Sequence, residues 1–352
     1  MRFSPYLALF LVSVLVGCNS RALPDSAGSA GGDSAAQLSN RIYAVSYPLQ
    51  FLTQQISGQE IEVLLPFAQS DDPRKSRPTR EVIAAMQDSD LVIANGVGAR
   101  YAKWLALVSL PDSKIVSTAS RGLALKDYIQ VKGESIVHSH GPEGEHSHPV
   151  MAARTWLDPS LAKKQAKYIA TQLKKNYPDR ADLFDQNLAA LQARLDELVE
   201  AMDLIAKRGQ AESPMVWTAG SEFEFFTRAA GLTAEPLKGF SQNSKLQNSD
   251  LSNEKLLVAV KEQLQAKPEL ASQANKNSSA GSLEGKKPKL VLIAERLSLS
   301  EELSALFLSL GIQPVRIDPL DHPLASSDYI STMKLNIKRV ETALDDSVAE
   351  AD

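Results

Sequence analysis

Cysteine is almost missing from this chain: there is one, Cys18, in 352 residues. An intramolecular disulfide is therefore excluded, and so is a zinc site built on several thiolates. A positive surplus is missing too. Lysine and arginine number 38 against 42 aspartates and glutamates, a net charge of −4 with histidine neutral. No phosphate-neutralising excess exists to hold nucleic acid, so no nucleic-acid partner is expected. Nor is there an apolar run of the roughly 20 residues that a spanning helix needs. The chain contains no H-E-x-x-H, no G-x-S-x-G and no phosphate-cradling glycine loop, so it does not read as an enzyme and calls for no organic cofactor. Histidine is scarce, at five, and unevenly spread: four lie between positions 138 and 148. The length suggests about two domains and suffices to bury a large core without staples.

The amino terminus accounts for the single cysteine. Arg2 is followed by a 12-residue apolar run from Tyr6 to Gly17, too short to span a bilayer and suited to a secretory leader. The run ends in Leu15-Val16-Gly17-Cys18, which looks like a bacterial lipobox, in which the cysteine is acylated and becomes the mature amino terminus. Residues 1–17 are thus expected to be a lipoprotein signal peptide. The alternative is an ordinary signal peptide with an incidental cysteine. A thiol nucleophile is excluded if Cys18 is the lipid anchor. Residues 18–40, rich in Ser, Gly, Ala and Asp, read as a flexible tether. These features place the protein in the bacterial cell envelope, on the periplasmic or extracellular side.

From Arg41 onward, short apolar runs alternate with helical patterns. Strands are expected at Ile42–Val45, Ile61–Leu65, Leu91–Ala94 and Ile115–Val116, and again at Met215–Thr218, Leu290–Ala294 and Val315–Ile317. Helices open at Pro48 and Thr79 and cover about Glu222–Ala230, Ser252–Gln265 and Ser300–Leu310. The rhythm predicts an α/β protein of two lobes, each a mostly parallel sheet flanked by helices. Boundaries fall at 41–158 for the first lobe and 209–346 for the second, with linking helices over 159–208 broken near Pro178. Leu188, Leu191, Leu195, Leu198, Met202 and Ile205 step by three and four residues, one stripe of a helix of about 26 residues and roughly 39 Å joining the lobes. Two shorter helices with a loop are the alternative. Residues 271–288 form a low-complexity polar insertion, and residues 135–150 a histidine-rich loop.

Several fragments, in order behind the lipobox, resemble the solute-binding lipoproteins of zinc and manganese ABC importers (cluster A-I type). They are Val45-Ser46-Tyr47-Pro48-Leu49; Asp72-Pro73 with Pro78; Asp90-Leu91-Val92-Ile93-Ala94-Asn95-Gly96; Trp156-Leu157-Asp158-Pro159; Phe225-Phe226-Thr227-Arg228-Ala229-Ala230-Gly231-Leu232; and Asp318-Pro319-Leu320 with Tyr329, Met333 and Asn336. They span about Arg41 to Leu344. The resemblance implies two lobes around a cleft, a rigid connecting helix, a divalent cation (Zn2+, with Mn2+ second), an ABC transporter permease as partner and a monomeric, membrane-anchored state.

One departure is severe. The family coordinates its metal with three histidines, or two and a glutamate, plus an aspartate. Matched position by position, the first histidine falls on Arg74, the second on Arg154 and the third on Gly220; only Asp318 remains. A guanidinium offers no lone pair and does not deprotonate in proteins, and one carboxylate cannot hold zinc. Three readings follow. Arg74 or Arg154 takes the ion's place and pairs with Asp318, joined by Glu222 or Glu295; or two arginines converge on a small anion; or the cleft is degenerate. The chain is then a divergent member with an atypical cleft. Its alternative role is a paralogue binding an anion or a protein partner, or a surface adhesin.

His138-Ser139-His140 and His146-Ser147-His148 are two H-x-H pairs separated by Gly-Pro-Glu-Gly-Glu. In extended chain each pair puts two imidazoles on one face. Imidazole suits zinc, copper and nickel, so this segment is the candidate metal-capture element. His322, beside Asp318 and Asp321, is either an additional ligand or a surface histidine.

Overall fold

The computed structural model describes residues 39–67, 76–98, 103–139, 145–219, 223–240, 253–267, 287–323 and 326–349. Cys18, the leader and nearly all of the tether lie outside them, as do Arg74, His140, Gly220, Glu222 and most of 271–288.

The first lobe runs β1 (Arg41–Ala44), α1 (Tyr47–Ser57), β2 (Glu62–Leu64), α2 (Arg80–Asp88), β3 (Leu91–Ala94), β4 (Ile115–Ser117) and the short α3 (Thr118–Gly122). Its four strands pair in parallel in the order β2-β1-β3-β4. All four residues of β3 are buried, as a parallel strand covered by helices on both faces requires. Pro48 sits in the first turn of α1, where a missing N–H costs nothing. The Thr79 hydroxyl caps α2 by accepting from the Val82 amide at 3.3 Å.

The segment expected as a histidine-rich loop is instead an antiparallel ribbon, β5 (Gln130–Ser139) and β6 (Glu145–Met151). Val131 and Val150 bury its base in the core. In the sequence, Gly141, Pro142 and Gly144 between the two strands read as loop punctuation and mask the extended residues on either side.

α4 (Pro159–Asn176) and α5 (Ala181–Glu212) follow, interrupted at Tyr177–Arg180. The residue before a proline is pushed out of helical geometry, and Tyr177, before Pro178, stands at φ −130°, ψ 67°. α5 has 32 residues, about 48 Å of helix, and outruns the expected end at 207 until Ser213 at φ 49° stops it. Leu191, Leu195, Leu198, Met202 and Ile205 are buried along it, and it packs on α1 and α4.

The second lobe contains β7 (Met215–Ala219), α6 (Glu224–Ala229), β8 (Ala234–Pro236), α7 (Asn253–Gln265), β9 (Lys289–Ala294), α8 (Glu301–Ser309), β10 (Gln313–Ile317) and α9 (Tyr329–Ala349). Its strands are parallel in the order β10-β9-β7-β8. Alternation along β9 sends Leu290 and Leu292 into the main core and Val291 and Ile293 into a second core on the sheet's other face. α9 returns onto α5 and buries Ile330, Met333, Ile337, Val340 and Leu344 at three- and four-residue steps. Among the described residues, no helix is long and apolar enough to cross a membrane.

Two glycines after helices measure how closely the second lobe approaches α5. A Cβ on Gly231 (φ +62°) would lie 2.8 Å from Ala206 Cβ, whereas one on Gly311 (φ +65°) would meet nothing within 4 Å. Gly311→Ala is expected to cost only left-handed strain, about 1–2 kcal/mol. Gly231→Ala adds overpacking of about 1–3 kcal/mol. Thermal denaturation should therefore show the larger drop for Gly231→Ala; equal drops would contradict the contact with α5.

Candidate functional site

The carboxy-terminal edge of the second sheet faces the end of the β6–α4 connection, and the side chains there join the two lobes. Arg154, just before a single 3-10 turn at Thr155–Leu157, reaches Asp321 beyond the end of β10. Its Nε donates to Oδ1 at 2.9 Å and its Nη2 to Oδ2 at 2.7 Å. The two side chains are only 4 % and 8 % exposed, so this is a buried, two-pronged pair rather than a surface contact. Next to it the Trp156 indole N–H donates to Pro319 O at 3.0 Å, and the Tyr329 hydroxyl donates to Trp156 O at 2.6 Å. Burial holds the Tyr329 phenol well above its ordinary range, so it remains a donor.

A second guanidinium bridges the lobes from α6. Arg228 Nη2 donates to Asp158 Oδ2 at 3.0 Å and Nη1 to Asp127 O at 2.7 Å. Asp158 also caps α4, its Oδ1 accepting from the Ser160 amide at 3.0 Å. The Asp158 carboxylate thus meets both the positive amino end of α4 and the Arg228 guanidinium.

The backbone that presents Arg154 is fixed by a buried polar cluster. Asn95, at the end of β3, donates to Ala153 O at 2.6 Å. Its Oδ1 accepts from Gln165 Nε2 at 3.0 Å, and Gln165 also donates to Thr118 Oγ1 at 2.7 Å. Thr155 Oγ1 lies 2.9 Å from both Asn95 Oδ1 and Gln165 Oε1. Asn95, Thr118, Thr155 and Gln165 are all buried, and burial strengthens such mutual hydrogen bonds.

On the facing side, Asn336 of α9 holds residue 318 by its backbone, accepting from Asp318 N–H at 2.9 Å and donating to Asp318 O at 2.8 Å. The Asp318 carboxylate turns back to accept the Leu320 amide at 2.7 Å. Leu320, fully buried, stands at φ 60°, a left-handed conformation that costs a non-glycine residue energy and persists only where surroundings impose it. Asp318 therefore makes a turn and does not receive Arg154; its neighbour three residues on does. Burial, with the negative charges of Asp321 and Glu295 adding to it, raises the Asp318 pKa. Glu295 itself pairs with Arg339 of α9 at 2.5 Å, away from Arg154. His322 is half-buried beside Asp321. Arg74 and Glu222 lie outside the described residues. Among the described residues, no three His, Cys, Asp or Glu side chains come together as a metal would need.

In the ribbon, the register sets His138 directly opposite His146 and Ile136 opposite His148. Residues two apart share a face and paired residues share it too, so positions 138, 146 and 148 fall on one face. His148 is exposed there. His140 lies outside the described residues.

Asp321 and the Asn95–Gln165 cluster are the parts that reading the chain did not find. The signal for Gln165 was present: it interrupts the apolar face Leu161, Ala162, Ala166, Ile169 of α4, and a polar residue on such a face must find a buried partner.

Residues 42–343 match the sequence model of the family described as zinc-uptake complex component A periplasmic. The chain is similar to zinc-binding lipoprotein AdcA of Streptococcus pneumoniae, 24 % identical over 316 residues that are 86 % of this chain and 56 % of that protein. It spans only about half the length of that relative. It is similar also to the high-affinity zinc uptake system protein ZnuA of Bacillus subtilis, 28 % identical over 270 residues, 74 % of this chain and 79 % of the other. Among solved structures, the metal-dependent lipoprotein YcdH of Bacillus subtilis shares the fold with a TM-score of 0.60 at 21 % identity, over 86 % of this chain and 98 % of that one.

The Asp127 side chain supports the Arg228 bridge and gives it a pH signature. Burial would raise its pKa, but hydrogen bonds from Lys164 and the Ala124 amide outweigh burial and lower it. A carboxylate with a depressed folded pKa stabilises the fold above its unfolded value, about 3.9, and loses that contribution as pH falls through the folded value. Asp127→Asn should therefore lower the Tm at pH 7, with the gap to the unsubstituted protein closing as pH drops below about 3.9. A gap independent of pH in thermal scans would contradict this.

Proposed function

Because the chain belongs to the periplasmic zinc-uptake component A family, we propose that it is the extracytoplasmic solute-binding lipoprotein of an ABC importer for a divalent metal, zinc before manganese. It is a binding protein and not an enzyme. Its partners in this reading are the metal ion and the transporter permease, and it works as a monomer held to the cell envelope through Cys18. The lipobox-like Leu15-Val16-Gly17-Cys18 at the end of a short apolar run supports the anchor.

The metal is handled by the β5–β6 ribbon, through His138, His140, His146 and His148. The observation that carries this is the register: positions 138 and 146 are opposed across the ladder and 148 follows on the same face. Directly opposed residues have Cβ atoms about 4.5–5.5 Å apart, a span two imidazoles can close on an ion held at roughly 2.0–2.1 Å from each nitrogen. Imidazole donors favour zinc over manganese, which prefers oxygen. The position matched to the family's aspartate ligand, Asp318, takes no part in this reading: its carboxylate accepts the Leu320 amide, and no second and third donor gather beside it among the described residues.

Titration calorimetry on the mature protein tests the reading. Zinc should bind the unsubstituted protein more tightly than manganese does. Replacing His138, His140, His146 and His148 by alanine should abolish zinc binding. An unchanged zinc stoichiometry in that variant would refute the assignment.

A further inference from the structure

The Arg154–Asp321 pair has no part in metal capture by the ribbon, yet among the described residues it is the most buried charge pair joining the lobes. We infer that Arg154 is a built-in cation that holds the two lobes together with no ligand, and that the seam therefore takes no metal.

Four observations converge on this. The partners are 167 residues apart and come from opposite lobes, so the bond closes the seam and not a local turn. Both side chains are nearly free of solvent, where a charge without its partner is strongly unfavourable. Each side is framed independently of the pair: Asn95 holds Ala153 O at 2.6 Å, and Asn336 holds Asp318 through two hydrogen bonds. Finally, the turn is strained in the direction that serves the pair. Leu320, at φ 60° and fully buried, reverses the chain between Asp318 and Asp321. An arriving divalent ion would have to displace a guanidinium that cannot deprotonate and would leave it buried without its carboxylate. It would gain no cluster of three donors among the described residues in return. The inference goes beyond the transport reading and holds whether or not the ribbon binds zinc.

The test uses the mature protein lacking the four ribbon histidines, so that zinc on the ribbon cannot contribute. Arg154→Met should lower its Tm by on the order of 10 °C, because the buried Asp321 carboxylate loses its two-pronged partner. Arg154→Lys should lose part of that, since an ammonium cannot make the fork. The double variant Arg154→Met with Asp321→Leu should recover most of the loss, because both charges of the buried pair are removed together. Zinc and EDTA should leave the Tm of the histidine-free protein unmoved. The inference is overturned if Arg154→Met keeps the parent Tm, or if zinc raises the Tm of the histidine-free protein. Should Arg154→Met fail to fold, the double variant and the zinc arm decide: a double variant no better than the single one also overturns it.

Discussion

A guanidinium and a carboxylate, both almost stripped of water, meet where the two lobes meet, and the rest of the molecule is arranged so that they can. Removing two charges from water costs several kcal/mol each, and only good geometry with mutual hydrogen bonds offsets it. The geometry here is the fork from Nε and Nη2 of Arg154 to both oxygens of Asp321. Breaking such a pair from one side typically costs about 3–5 kcal/mol, a large share of the stability of an ordinary protein. The pair therefore fixes the relation of the lobes, provided that each partner is delivered to its place by something else.

Delivery comes from the two sheets and the helices between them. β3 ends in Asn95, which reaches across to the chain just before Arg154, and α4 contributes Gln165 from its otherwise apolar face. From the opposite side, β10 ends in the Asp318–Asp321 turn, which α9 holds through Asn336, while Tyr329 of the same helix donates to Trp156 O beside Arg154. α5, about 48 Å long, underlies both lobes and carries the apolar stripe that packs α1, α4 and α9 into one core. The family of zinc-uptake proteins to which the chain belongs is thus represented here by a fold whose seam is closed by its own side chains. His138, His146 and His148 stand on the ribbon, and His322 lies beside Asp321.

The strands and helices were legible in the chain because they follow simple periodicities: β3 is uniformly apolar, and α5 repeats leucine at three and four residues. The ribbon was not, since Gly141, Pro142 and Gly144 punctuate it and its own residues are mostly polar. α9 is legible in the same way, with a stripe as regular as that of α5: Ile330, Met333, Ile337, Val340 and Leu344. Of the candidate site, the arginine at 154 was visible, and so was the chemical reason it cannot bind a metal. Its partner was not: of the three readings, the one that pairs an arginine with Asp318 does not hold for Arg154, whose partner is Asp321. That choice depends on a left-handed Leu320, and no local preference announces a left-handed leucine. Long-range pairing of this kind is set by two sheets assembling, not by any window of sequence.

Closure without a ligand separates this account from any in which metal draws the lobes together. Solution X-ray scattering on the mature protein, with EDTA and with a saturating zinc concentration, measures it most directly. The account predicts the same radius of gyration in both conditions. A protein that becomes measurably more compact when zinc is added would contradict it.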